Sequence, residues 1–129
     1  MAPLEDLLVD EQALDRDALG AGLHPFIRIG SGGALRPGDS WGGLGEREKV
    51  LVVLLAVKAA HVLGVRDHDG ATAKEVTETT GGRGGTVRPA LRALLTDGYA
   101  HQDDRERYFV PPMNVPRALK LLEVRAPKK

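Results

Sequence analysis

The chain has 129 residues, of which 42% are apolar, so it is long enough to build one ordinary hydrophobic core. It contains no cysteine, which excludes disulfides, zinc–thiolate sites and cysteine nucleophiles and favours a cytoplasmic location. Its 18 basic and 18 acidic side chains balance, so it lacks the strong positive charge of many nucleic-acid-binding proteins.

The charges are unevenly distributed along the chain. Residues 1–20 carry six acidic side chains and one basic one, whereas residues 65–129 carry twelve basic and nine acidic ones. Such asymmetry can accompany a basic nucleic-acid-binding surface, although an acidic first helix is more often only a solvated face. An acidic helix also suits a basic partner, so the N-terminal helix is a candidate protein-binding element.

The first elements are predicted to be a helix and a β-hairpin. Apolar residues recur every three to five positions over residues 4–23, which predicts one amphipathic helix or two short ones, ended by Gly20 and Gly22. Short runs at residues 26–29 and 34–36 flank a glycine-rich turn and predict a hairpin. The acidic start of the chain lacks the basic residues and continuous apolar run of a secretory signal.

A long buried helix is predicted next. It begins after Gly45 with Glu46 and Glu48 in its first turn, where carboxylates favour the positive end of the helix, and Gly64 is placed to end it. Its apolar part, residues 50–65, is shorter than the roughly 20 residues that span a bilayer, and it contains a lysine and a histidine. We therefore expect a core helix and no membrane association.

A shorter helix should follow the polar turn at residues 65–70. Thr72 and Glu75 have the spacing of a capping box, so a helix is expected over about 73–80, with Val76 on its buried side. The turn holds a histidine between two aspartates, but adjacent residues rarely converge on one metal ion. A solvated turn is the preferred interpretation, and no metal is expected.

After five residues rich in glycine, residues 86–97 are predicted to form an amphipathic helix ended by Gly98. Pro89 is expected in its first turn, because deeper in a helix proline removes a hydrogen bond and clashes with the preceding turn; the helix should begin between residues 85 and 88. Residues 99–110 then form two strand-like runs around a charged turn, which predicts a hairpin. A last helix is expected over about 115–124.

This order of elements resembles the winged helix-turn-helix superfamily of DNA-binding proteins over about residues 46–112. The local details that match are T-A-K-E-V at the start of the second helix, V-R-P-A-L-R-A-L-L-T-D-G-Y in the third, and D-R-E-R-Y-F-V in the hairpin. The four glycines around Arg83 depart from the pattern. The resemblance implies a mainly α fold with a small β component (α+β): a helix and hairpin extension at 1–44, a winged core at 45–112, and a C-terminal helix and tail at 113–129.

The resemblance also implies that the third helix enters the major groove of double-stranded DNA, while the hairpin, or wing, follows the backbone. An arginine fork can bind the two acceptors of guanine or straddle phosphates, and bare N–H groups at a helix start can bind phosphate. The candidate DNA-binding residues are Arg83, Gly84, Gly85, Thr86, Arg88, Arg92, Arg105 and Arg107.

The function expected from these features is that of a small transcriptional regulator acting as a homodimer. The subunits would pair through residues 1–44 or through the C-terminal helix. The alternative is a winged-helix adaptor that binds a protein within a larger assembly. We expect no enzyme activity and no cofactor, since the glycine-rich segments lack a P-loop ending and no serine lies in a nucleophile elbow.

Overall fold

The computed structural model describes residues 4–7, 13–82 and 84–123, and every structural statement below refers to them. They form helices and two small antiparallel hairpins, so the predicted α+β class is confirmed. The helices are α1 (Arg16–Leu23), α2 (Glu46–Val62), α3 (Ala73–Thr80), α4 (Gly84–Thr96) and α5 (Val115–Glu123). The strands are β1 (Ile27–Ile29), β2 (Leu35–Pro37), β3 (His101–Gln102) and β4 (Tyr108–Phe109), and short 3₁₀ turns lie at Leu4–Leu7, Trp41–Gly43 and Pro112–Asn114.

Helix α2 is the centre of the core. Its residues 50–58 are all buried, and α1, α3, α4, α5, β1 and β4 contact it. A helix that is apolar on every side requires neighbours on every side, which accounts for this placement. The predicted start and end are confirmed, since the Glu48 carboxylate accepts from the N–H of Gly45 at 3.3 Å and Gly64 follows the helix with a φ of 80°. No described helix is both long and apolar enough to cross a bilayer.

One cation is buried within α2. The Lys58 side chain is only 4% exposed, and its Nζ lies 3.2 Å from Oδ2 of Asp69. The turn at residues 65–70 was predicted to be a solvated loop. Asp67 and His68 are indeed exposed, but Asp69 connects the turn to the core by this ion pair.

The prediction that Gly20 and Gly22 end the first helix is wrong, since both lie inside α1. A β-carbon at Gly22 would lie 2.6 Å from Cδ2 of Leu119 in α5, so this glycine allows the two helices to approach closely. The helix ends instead at Leu23, with His24 as its C-cap; Pro25 follows the cap and has no backbone N–H with which to continue the helical hydrogen bonds. The predicted hairpin after it is confirmed as β1 and β2, which pair antiparallel.

The capping box of α3 is confirmed. The Thr72 hydroxyl accepts from the N–H of Glu75 at 3.2 Å, and the Glu75 carboxylate accepts from the N–H of Thr72 at 3.1 Å. Helix α4 begins at Gly84, earlier than predicted, so Pro89 is its sixth residue and lies in the second turn. This proline provides no N–H for the carbonyl of Gly85, a loss that occurs on the exposed side of the helix.

The hairpin predicted for residues 99–110 is confirmed as β3 and β4, with His101 opposite Phe109. It is joined to the residue before the α3 cap, because Ala71 pairs antiparallel with Tyr108. Helix α5 packs beside α1, and it contacts the end of α4 through Arg117, whose guanidinium lies 4.4 Å from the ring centre of Tyr99. The Ala71–Tyr108 bridge thus fixes the hairpin next to α3, and the contact of Arg117 with Tyr99 lies where the chain leaves α4 for the hairpin.

Candidate nucleic-acid interface

Helix α4 has one buried and one exposed face. Val87, Leu91 and Leu94 have no measurable exposure and pack in the core. Arg88 and Arg92 are both exposed, and they lie four residues apart on the solvent side of the helix. The structure therefore presents these two predicted arginines together.

A small polar cleft lies where α3, α4 and the β3–β4 hairpin meet; we call it the helix–hairpin cleft. Its volume is about 240 Å³. It is lined by Thr72, Ala73, Lys74, Arg88, Gln102, Glu106 and Tyr108. Of the predicted residues that the structure describes, only Arg88 lines it, whereas the prediction missed Lys74, an exposed residue of the first turn of α3.

The predicted phosphate site at the start of α4 has a carboxylate beside it. Gly84 is the first residue of the helix, and a side chain at Gly85 would meet no atom within 4 Å, so the backbone there is open. The Thr86 hydroxyl donates to Oε1 of Glu46 at 3.4 Å, and this oxygen would lie 3.0 Å from a β-carbon at Gly82. A phosphate at this helix start would meet the negative charge of Glu46. Arg83 lies outside the described residues.

At the tip of the hairpin one carboxylate organises the turn. Oδ1 of Asp103 accepts from the backbone N–H groups of Arg105 and Arg107, at 2.8 and 3.0 Å. These bonds, first that from Arg107, lower the pKa of the Asp103 carboxyl below its ordinary value. The Arg105 side chain is exposed and Arg107 is half-buried, so the structure leaves Arg105 the freer of the two predicted hairpin arginines.

Glu106 is in the left-handed region, with a φ of 63°. A three-residue hairpin loop commonly requires this conformation at its third position, where glycine is preferred because it has no β-carbon. Glu106 also lines the helix–hairpin cleft. The loop therefore places a carboxylate at the edge of the cleft that Lys74 and Arg88 also line.

The surface formed by α4, the α3 start and the hairpin is of mixed charge. Its basic residues are Lys74, Arg88, Arg92, Arg105 and Arg107, and its acidic residues are Glu46, Glu75, Asp103, Asp104 and Glu106. Among the described residues no group of three or more metal-ligating side chains is placed to hold a metal ion. The guanidinium, ammonium and amide groups of this surface can form hydrogen bonds and ion pairs.

Comparison of the chain with protein-family models, curated proteins and solved structures finds no match. The interpretation of this surface therefore depends on its own geometry.

Proposed function

We propose that the chain binds double-stranded DNA as a winged helix-turn-helix, with α4 in the major groove and the β3–β4 hairpin along the backbone. One observation carries the proposal: Lys74, Arg88 and Gln102, from three different elements, converge on the helix–hairpin cleft at the exposed side of α4. Three donors from separate elements suit a partner with regularly spaced acceptors. A DNA backbone and its groove edges are such a partner.

The backbone arrangement supports the winged-helix assignment. In this proposal Ala71 provides the short strand position before the helix pair, and the β3–β4 hairpin is the wing. Helices α3 and α4 contact each other and both contact α2, as the paired helices and the supporting helix would. The exposed side of α4 is then the side that faces the groove.

The two arginines of α4 have separate roles in this proposal. Arg88 lies closer to the start of the helix, the end that reaches base edges first, so we assign it to a base or to the phosphate beside it. Arg92 lies one turn further along the same face and is assigned to the backbone. Either guanidinium can bind guanine or phosphate oxygens with two hydrogen bonds.

The acidic residues predict a modest affinity, and the small number of basic contacts predicts a moderate dependence of that affinity on salt. If Lys74, Arg92 and Arg105 each neutralise one phosphate, the logarithm of the binding constant should fall with the logarithm of salt concentration with a slope of about −3. The role proposed for such a protein is that of a small regulator of transcription. Pairing of two copies would double the number of phosphate contacts.

The test is selection of bound sequences from random DNA duplexes, followed by binding assays with two double variants. Arg88→Ala with Arg92→Ala should lower the affinity for the selected duplex at least about tenfold, since each arginine contact is worth about 1–3 kcal/mol. The matched control is Arg36→Ala with Lys120→Ala, which removes two exposed positive charges from outside this surface. Equal affinities of the two double variants would contradict the proposal.

A second candidate function is that of a protein-binding adaptor. The carboxylates of Asp104 and Glu106 at the hairpin tip favour it, because they oppose a phosphate backbone and suit a basic protein surface. Co-purification from cells after nuclease treatment distinguishes the two functions. A partner that survives the nuclease and is lost in an Asp104→Lys, Glu106→Lys variant supports the adaptor.

A further inference from the structure

An apolar cleft of about 340 Å³ lies between α1, β1 and the end of α2, on a part of the molecule that shares no lining residue with the helix–hairpin cleft. Leu19, Leu23 and Ile27 lie in its buried part. Val62 and Leu63 also line it, and they are 37% and 58% exposed. The apolar surfaces of these two side chains are exposed to water, and an occupant of the cleft would cover them.

The rim of this apolar cleft is more basic than acidic. Arg16, Arg28 and His24 line it, together with one carboxylate, Asp17. The Arg28 guanidinium donates to the backbone carbonyls of His24 and Ile27. Among the described residues neither arginine forms an ion pair with a carboxylate.

The short 3₁₀ turn at Leu4–Leu7 has the complementary chemistry. Leu4 and Leu7 are 79% and 77% exposed, more than any other large apolar side chain among the described residues. The sequence places Glu5 and Asp6 between them. The segment thus combines two leucines with two acidic residues, and no described part of the same chain covers the leucines.

We infer that the apolar cleft binds the Leu4–Leu7 segment of a second copy of this chain. The leucines would enter the cleft and cover Val62 and Leu63, and the acidic sequence between the leucines is complementary in charge to Arg16 and Arg28 at the rim. In the single chain the leucines lie outside the cleft and remain exposed, which favours an occupant from another copy. Reciprocal exchange between two copies gives a closed pair with both clefts filled.

The chain between Leu7 and Ala13 sets how far the segment can reach from its own subunit. Leu7 and Ala13 are six residues apart, so they can be separated by up to roughly 20 Å. The inference concerns self-association alone and does not depend on DNA binding. If DNA binding also holds, exchange would supply the two linked recognition helices that a paired half-site requires.

The test measures molar mass by light scattering during gel filtration of the full chain at micromolar concentrations. The wild type should have a molar mass of twice the 13.8 kDa of one chain. Leu4→Asp with Leu7→Asp, and separately Leu63→Asp, should each raise the dissociation constant at least about 100-fold, because apolar side chains leave the cleft at both ends of the pair. Met113→Asp is the control, because Met113 is 56% exposed and does not line the cleft.

Mixing the variants tests the exchange itself. An equimolar mixture of the Leu4→Asp, Leu7→Asp variant and the Leu63→Asp variant retains one intact segment and one intact cleft, so part of it should recover the doubled mass. A monomeric wild type would overturn the inference. It would also be overturned by a wild-type dimer that both variants leave unchanged, which would place the pairing surface elsewhere, or by a mixture that stays monomeric.

Discussion

Ala71 and Tyr108 donate to each other's backbone carbonyl, at 2.9 and 2.7 Å, and so join the start of α3 to the second strand of the hairpin. Gly70 precedes this bridge, and its α-carbon faces the hairpin so closely that a β-carbon would lie 2.9 Å from the carbonyl oxygen of Tyr108. The position of the hairpin beside α4 therefore depends on a contact that only glycine permits.

Replacing Gly70 by alanine should force the hairpin away from α3. We expect the Gly70→Ala variant to lose about 1–3 kcal/mol of unfolding free energy, the usual cost of overpacking, as measured by urea denaturation. The control is Gly32→Ala, because a β-carbon at Gly32 meets nothing within 4 Å. If both variants unfold at the same urea concentration, the close approach at Gly70 does not position the hairpin.

The order of the elements could be predicted from the sequence because each has local signals. The Thr72–Glu75 spacing, the glycines after the helices and the alternation around the hairpin tip are all read within a few residues. The role of Gly22 could not be predicted in this way, since a glycine in a helical pattern indicates an end as readily as a close contact. Its partner, Leu119, lies almost a hundred residues away in the sequence.

The candidate site was predictable only in part. Arg88 and Arg92 follow from helical spacing, but Lys74 joins Arg88 only because the hairpin and α3 meet in space. The approach of Glu46 to the start of α4 is a contact between residues 40 positions apart, and no local pattern records it. The left-handed conformation of Glu106 could not be predicted for another reason: its loop contains no glycine that would indicate a positive φ.

The buried cation of α2 should make the protein sensitive to the loss of its partner. In Asp69→Asn the Lys58 ammonium stays buried without a carboxylate, and we expect a loss of about 1–3 kcal/mol in the free energy of unfolding. Lys58→Met removes the charge and keeps a side chain of similar length, so it should be close to neutral or stabilising. Chemical denaturation of both variants would refute this account if Lys58→Met is the less stable of the two.

The hairpin tip should loosen in acid. The pKa of the Asp103 carboxyl is lower in the folded protein than its ordinary value of 3.8. The hydrogen bonds that its carboxylate accepts from Arg105 and Arg107 therefore stabilise the folded protein above pH 3.8, and this stabilisation is lost as the pH falls through the folded pKa. We expect the Arg105 and Arg107 amide resonances to shift with a common midpoint below pH 3.8. In Asp103→Asn that shared titration should disappear; its persistence would assign it to another group.

Relief of the strained loop position should stabilise the protein. Glu106→Gly removes the β-carbon from a residue with a φ of 63°, and we expect a gain of about 1 kcal/mol, the lower end of the cost of a left-handed non-glycine residue. Asp104→Gly removes a neighbouring charge without relieving a positive φ, so it should give no gain. Thermal unfolding of the two variants distinguishes relief of strain from loss of charge. Equal changes in unfolding temperature would contradict the presence of backbone strain at Glu106.

One surface, formed by α4, the start of α3 and the hairpin, is proposed to bind double-stranded DNA. The most direct measurement is an amide NMR titration of the protein with a selected duplex at two salt concentrations. We predict that the largest shifts fall at Lys74, Arg88, Arg92 and Gln102, and that they weaken at the higher salt concentration. Shifts confined to α1 and α5, or no saturable shifts with any duplex, would contradict the claim.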